Sequence, residues 1–161
     1  MKLPTQIVTD FYTAFQNKDA EKMAALYHDE VVFNDPAFHN LKGEEARDMW
    51  RMLISRGKDM EMNFSGIKEV GEWDNGVEVI AHWEAIYTFT KTGRKVHNII
   101  NARFQVVEGK ILRHTDDFNL WHWAGMALGF SGKILGWTPF VQNKIRKNAR
   151  LALDLYRKNK S

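Results

Sequence analysis

The feature that most constrains the fold is a change in hydrophobic period along the chain. Up to about residue 57, apolar residues recur every three to four positions, whereas beyond it they alternate with polar ones. The clearest alternation is VEVIAHWEAIYTFT, which lies between the turn sequences Asp74-Asn75-Gly76 and Lys91-Thr92-Gly93. Since a helix repeats every 3.6 residues and a strand every two, we expect the chain to change from helices to strands here.

Three helices and one short strand are predicted before the change. The first helix covers roughly Pro4–Asn17 and carries an apolar stripe of Leu3, Ile7, Phe11 and Phe15. Asp19 is suited to cap a short second helix. Val31–Asn34 has the composition of a strand. The third helix follows Gly43, starts with two acids and ends at Arg56-Gly57.

Four long strands are predicted after the change. They are the segments MEMNFSGIKEVGEW, VEVIAHWEAIYTFT, KVHNIINARFQV and KILRHTDDFNLW. Turn sequences separate them, and Asp74-Asn75-Gly76 is a strong hairpin signal. Helices followed by such a meander indicate an α+β fold, and the length of so few strands indicates a strongly curved antiparallel sheet.

The composition excludes several classes of function. The chain has no cysteine, which excludes disulfides, zinc–thiolate sites and cysteine nucleophiles. Its net charge of +3 comes from residues 140–161, which hold seven of the 23 basic residues and one of the 20 acidic ones. The rest is slightly acidic, so we expect no nucleic-acid partner. A signal-peptide pattern and a membrane-length apolar run are both absent, so we expect a cytoplasmic protein.

An aromatic and basic extension follows Trp121. Phe140, Ile145 and Tyr156 share a helical stripe that lies opposite its basic residues. The favoured interpretation is a C-terminal helix that packs through these residues on the domain or on a second subunit. The alternative is a basic amphipathic helix at a membrane surface.

Three segments resemble a known superfamily. They are a strand that ends in Asn34-Asp35-Pro36, the segment LKGEEARDMW, and the closing RFQVVEGKILRHTDDFNLW. Together they are similar to the nuclear transport factor 2-like (NTF2-like) superfamily, which includes ketosteroid isomerases, SnoaL-like polyketide cyclases and limonene-epoxide hydrolases. The resemblance implies an NTF2-like domain over residues 1–121, with residues 122–161 as a helical extension. It also implies a cone-shaped α+β fold around a deep pocket, no cofactor, and a homodimer.

The resemblance implies roles for individual positions. Asp35 with Pro36 matches the general base of the isomerases, whereas their two oxyanion donors fall at Phe11 and near Ile100, which cannot donate. Asp116 matches the acid on the last strand of the hydrolases and the cyclases. His82 and Glu84 stand where the hydrolases have an arginine and an aspartate.

Strand parity adds the expected walls of the pocket. We predict that the second long strand directs Ile80, His82, Glu84 and Ile86 into it. The candidate catalytic residues are Asp35, Asp116, His82 and Glu84. The candidate ligand-binding residues are Phe11, Phe15, Phe33, Trp50, Ile86, Asn98, Ile100, Phe104, His114 and Phe118.

Each of these assignments has a structural alternative. Asp35 is equally suited to a turn or a helix cap. Asp116 and Glu84 are suited to pairing with His114 and His82 in satisfied polar networks. The two His-x-acid pairs also have the spacing of a metal site, but hydrogen bonding is favoured and no metal is predicted.

The sequence therefore favours a protein that binds a small hydrophobic molecule, polyketide-like or terpenoid-like, and performs acid–base chemistry on it. The alternative is a binding or scaffolding homodimer without chemistry. The opposite face of the second long strand carries Trp83, Tyr87 and Phe89, and a homodimer is predicted to bury it.

Overall fold

The computed structural model describes residues 2–160. Three helices precede the long strands, namely α1 (Pro4–Gln16), α2 (Ala20–Leu26) and α3 (Glu44–Arg56). The strands are β1 (Tyr27–Asn34), β2 (Leu41–Lys42), β3 (Glu61–Trp73), β4 (Gly76–Phe89), β5 (Arg94–Val107) and β6 (Lys110–Asp117). The helices that follow are α4 (Leu120–Leu128), α5 (Phe130–Leu135) and α6 (Pro139–Lys160). The predicted α+β class is confirmed.

The strands of the described chain form one sheet in the order β2-β1-β6-β5-β4-β3. Strands β3 to β6 are consecutive antiparallel neighbours, as the turn sequences between them predict. β1 lies parallel to β6, so the sheet is mixed rather than wholly antiparallel. Two parallel strands cannot be joined by a hairpin, so no local turn sequence predicts the pairing of β1 with β6.

The face of β4 that packs on the helices is the opposite of the predicted one. Val79, Ala81, Trp83 and Ala85 are buried, whereas Ile80, His82, Glu84 and Ile86 lie on the outer face. The register fixes this choice, because Trp83 lies opposite Ile100 of β5 and directly opposed residues share a face. The prediction was wrong because it chose the face of each strand separately.

The core is an aromatic cluster between the sheet and helices α1 and α3. The ring of Phe15 lies 5.2 Å from that of Trp50 and 5.2 Å from that of Trp83. Trp83 is therefore buried within one chain. The predicted homodimer through Trp83, Tyr87 and Phe89 loses its basis, since this face of β4 is covered by the chain's own helices.

Helix α6 packs on α3 through both apolar and charged contacts. Leu153 is fully buried in the core cluster. Asp48 of α3, whose side chain is 1% exposed, accepts hydrogen bonds from Arg157 at 2.9 Å and from Lys160 at 2.5 Å. Burial alone would raise the pKa of Asp48, but the hydrogen bonds from Lys160, Arg51 and Arg157 lower it overall.

The predicted contact of Phe140 is wrong, because 78% of this residue is exposed and Leu153 provides the anchor of α6 instead. Tyr156 is half-buried against the core. No helix within residues 2–160 is long and apolar enough to cross a membrane.

Candidate active site

A mostly apolar cavity of about 630 Å³ lies between the sheet, the end of α3 and the C-terminal helices. Its volume is that of an ordinary small-molecule site. The predicted site residues that line it are Phe15, Asp35, Trp50, Asn98, Ile100, Asp116 and Phe118. The extension adds a wall that sequence reasoning placed outside the domain, formed by Trp123, Leu135, Phe140, Val141, Ile145 and Ala149.

Four of the predicted ligand-binding residues lie behind the cavity wall. Phe11, Phe33, Phe104 and His114 are fully buried and do not line the cavity. Their rings pack on one another, and the ring of His114 lies 4.2 Å from that of Phe104. These residues support the wall, so their assignment as ligand contacts is corrected.

His82, Glu84 and Ile86 are on the outer face of the sheet, away from the cavity. His82 Nδ1 lies 3.2 Å from Asn101 Oδ1, and Glu84 lies 3.6 Å from His82 and 3.4 Å from His97. The Glu84 side chain is 39% exposed. Their assignment to the cavity is therefore wrong, for the register reason given above. No group of three or more residues of the described chain is arranged to hold a metal ion.

Asp35 lies directly after β1 and lines the cavity. Pro36 disfavours a helical conformation at Asp35. Its Oδ1 accepts hydrogen bonds from the backbone N–H groups of Ala37 at 2.7 Å and Phe38 at 2.6 Å, which is an Asx turn. No donor among residues 2–160 bonds its Oδ2. The side chain of Asp35 therefore forms a turn and lines the cavity at the same time.

The environment of Asp35 favours its neutral form. Burial raises the pKa of Asp35 to about 7 and outweighs the hydrogen bonds from Phe38 and Ala37 that lower it. The charge of Asp116 contributes to this increase in the pKa. A carboxyl with a pKa near neutrality is suited to both accept and release a proton at physiological pH.

Asp116 ends a chain of buried hydrogen bonds that starts at Trp50. Trp50 Nε1 donates to Tyr27 Oη at 2.7 Å, Tyr27 Oη lies 2.7 Å from His114 Nδ1, and His114 Nε2 lies 2.9 Å from Asp116 Oδ1. Because an indole N–H only donates, Tyr27 accepts from Trp50 and directs its own O–H to Nδ1. The imidazole N–H is then on Nε2, and this group donates a hydrogen bond to Asp116, which lines the cavity.

Tyr87 is a polar group of the cavity that sequence reasoning placed on the outer face. Its Oη accepts a hydrogen bond from Trp123 Nε1 of α4 at 2.8 Å. Burial raises the pKa of Tyr87, and the charge of Asp35 adds to this effect. Its O–H therefore remains a donor. The register between β4 and β5 would have placed Tyr87 on the cavity face. Tyr27 could not be recognised as part of the site, because its hydrogen-bond partners are distant in sequence.

Comparison with known proteins identifies the family. The model of the SnoaL-like domain matches residues 8–114, which is more than half of the chain. The chain belongs to the SnoaL-like domain family. The match ends before α4, α5 and α6. No match was found among curated proteins.

Solved structures support the same fold. A candidate polyketide cyclase of Pseudomonas putida KT2440 superposes with a TM-score of 0.63 at 18% identity, covering 79% of this chain and 99% of that chain. An LEH-like epoxide hydrolase of M. tuberculosis gives 0.56 at 19% identity, covering 82% and 95%. A ketosteroid isomerase-like protein of Erwinia carotovora atroseptica gives 0.55 at 20% identity, covering 70% and 91%. These similarities establish the NTF2-like fold.

Proposed function

We propose that this protein binds a small, largely apolar molecule in the cavity and catalyses proton transfer on it, as an isomerase or a cyclase does. One observation carries the proposal: two carboxylates, Asp35 and Asp116, line one mostly apolar cavity. Placing two acids in a mostly apolar cavity wall costs stability, which a catalytic role explains. The cyclase and isomerase-like structural relatives are consistent with this chemistry.

In this proposal each group has one role. Asp35 Oδ2 takes a proton from a carbon next to a carbonyl of the ligand, and the electron pair of the broken C–H bond moves onto the carbonyl oxygen. Tyr87 Oη donates a hydrogen bond to that oxygen as its charge develops. Asp35 Oδ2 then returns this proton at a second position of the ligand. Asp116, whose carboxylate is held by His114, keeps the pKa of Asp35 raised through its charge. No cofactor is required for these steps.

Epoxide hydrolysis is less well supported by the geometry. The hydrolase pattern needs an arginine and an aspartate two positions apart on β4, both facing the cavity. The inward residues of β4 at this level are Trp83 and Ala85. Of that set, Asp116 alone is present on the cavity wall, so we favour transfer of a proton over addition of water.

A binding or scaffolding homodimer without chemistry is the second candidate function. The observation that favours it is the Asx turn of Asp35, because a turn-forming carboxylate needs no catalytic role. In that case the second copy would pack on the outer face of the sheet, where Ile86 is 37% and Ile99 is 51% exposed.

Solvent exchange distinguishes the two candidates. Uncharged polycyclic ketones in D₂O should exchange the hydrogens next to their carbonyl when the protein is added, and NMR follows the loss of signal. Asp35→Asn should lower the exchange rate on the order of a hundredfold. Asp29→Asn, which changes a fully exposed carboxylate, is the matched control. Binding of the ketones without protein-dependent exchange would instead support the binding module.

A further inference from the structure

The C-terminal extension exposes an apolar surface that the proposed chemistry does not use. Phe130 is 80% exposed, Ile134 53%, Trp137 59% and Phe140 78%. We call these four residues the α5–α6 patch. Large apolar side chains that cluster on a surface mark a site of interaction.

The four residues are close in the chain, and Phe130, Ile134 and Trp137 are also close in space. Phe130 and Ile134 are one helical turn apart on α5. Trp137 Nε1 donates to the carbonyl of Ile134 at 3.0 Å, so its ring lies at the end of α5. Phe140 stands in the first turn of α6 and also lines the cavity, as does Leu135. The patch therefore adjoins the cavity.

The segment of the chain that carries the patch has charges of one sign. Residues 118–153 contain no aspartate or glutamate and five basic residues, Lys133, Lys144, Arg146, Lys147 and Arg150. Arg146 donates to the carbonyl of Pro36, and Arg150 pairs with Glu45. Within residues 2–160, Lys133, Lys144 and Lys147 have no acidic partner. These three lysines are available to an anionic surface.

We propose that the α5–α6 patch docks the protein on an anionic lipid bilayer. Tryptophan and phenylalanine insert at the level of the headgroups, and nearby lysines add attraction to anionic lipids. A second copy of the chain fits less well, because a symmetric dimer would bring these lysines against their own copies, and residues 118–153 supply no acid to pair with them. The docking is peripheral, since the described helices include none that spans a membrane.

This surface differs from the basic face of α6. Arg157 and Lys160 of that face are engaged by Asp48, and Arg150 by Glu45, so α3 already occupies it. At the α5–α6 patch, Leu135, Phe140 and Lys144 line the cavity and are also exposed. An apolar ligand dissolved in the bilayer would thus reach the cavity without crossing water. The docking does not depend on any reaction in the cavity.

Vesicle flotation of the full chain tests the proposal. We expect capture by vesicles of phosphatidylcholine with 30% phosphatidylglycerol, and at least tenfold weaker capture by phosphatidylcholine alone. Phe130→Ser with Trp137→Ser should reduce capture about tenfold. The matched control, Leu3→Ser with Val70→Ser, replaces apolar residues that are 70% and 44% exposed outside the patch and should leave capture unchanged.

A charge variant provides an independent test that changes no apolar residue. Lys133→Gln with Lys147→Gln should weaken capture on the order of tenfold at low salt, whereas Lys42→Gln with Lys68→Gln should not. Absence of capture by anionic vesicles would overturn the proposal. So would equal losses in patch and control variants, or a patch variant that turns a dimer into a monomer in sedimentation, which would show that a second copy covers the patch.

Discussion

At the residue scale, the two oxygens of Asp35 have different surroundings. Oδ1 is held by two backbone N–H groups, whereas Oδ2 has no donor among the described residues. The turn fixes the carboxyl, and the cavity desolvates it. The raised pKa of Asp35 is therefore a property of its place at the end of β1.

Asp35 should make stability depend on pH in a defined direction. Its pKa is raised to about 7 in the folded state, so its contribution is fully present below about pH 4 and is lost as the pH rises through 7. Asp35→Asn keeps an acceptor for the turn and should be more stable than the wild type at pH 8 by roughly 1–3 kcal/mol, but not at pH 4. Urea unfolding at both values measures this.

The matched control for that measurement is Asp29→Asn, because the Asp29 side chain is fully exposed. It should leave the difference between pH 4 and pH 8 unchanged. An Asp35→Asn variant with the same pH dependence as the wild type would show that Asp35 titrates like a free carboxyl.

Tyr27 tests the buried chain that ends at Asp116. In Tyr27→Phe, Nδ1 of His114 loses its donor, so the tautomer that places the proton toward Asp116 is no longer fixed. We expect kcat to fall roughly tenfold with KM little changed, together with a shifted pH–rate profile. The buried nitrogen left without a partner should also cost about 1–3 kcal/mol of stability. An unchanged pH–rate profile would restrict Tyr27 to a structural role.

At the residue scale, then, the sequence predicted some of the site and not the rest. Asp35 was identified by the adjacent Pro36, and Asp116 by its position on the last strand. Tyr27, Trp50 and His114 meet only after α3 and β6 pack on β1, so no local pattern joins them. Tyr27 itself begins β1.

At the element scale, β4 shows what strand alternation can and cannot determine. Its period of two was clear, but a period does not say which face is buried. The more apolar face, with Trp83, packs on α1 and α3, and the face with His82 and Glu84 does not. Cross-strand register, which depends on the whole meander, makes that choice.

The contact between α6 and α3 should be sensitive to acid. The lowered pKa of Asp48 means that its contribution is present above its unfolded pKa and is lost as the pH falls through the folded value. Asp48→Asn leaves three cations around a neutral group and should destabilise the protein by about 2 kcal/mol. Urea unfolding at pH 7 measures the loss.

Asp154→Asn is the control for α6, because Asp154 is an exposed acid on the same helix and pairs with Arg150. It should cost less than about 0.5 kcal/mol. If the two variants lost the same stability, the cluster around Asp48 would not hold α6 in place.

At the scale of the whole molecule, the cavity belongs to the fold and to the extension together. The family match ends at residue 114, whereas Trp123, Ile145 and Ala149 complete the wall. The sequence predicted the domain and its helical extension as separate parts. No sequence pattern predicted that α4 and α6 enclose a cavity. This arrangement depends on the packing of α6 against α3, which Leu153 and Asp48 stabilise.

The central claim is that the cavity takes an apolar molecule beside Asp35 and Asp116. Methyl NMR during titration with an uncharged polycyclic ketone tests it most directly. We expect shifts at the cavity methyl groups of Ala85, Ile100 and Ala149, with no shift at Ala14 or Ala46, which are buried away from the cavity. The Asp35 carboxyl signal should move with them. Saturable shifts confined to the outer face of the sheet, or no shifts with any such ketone, would show that the cavity is not the binding site.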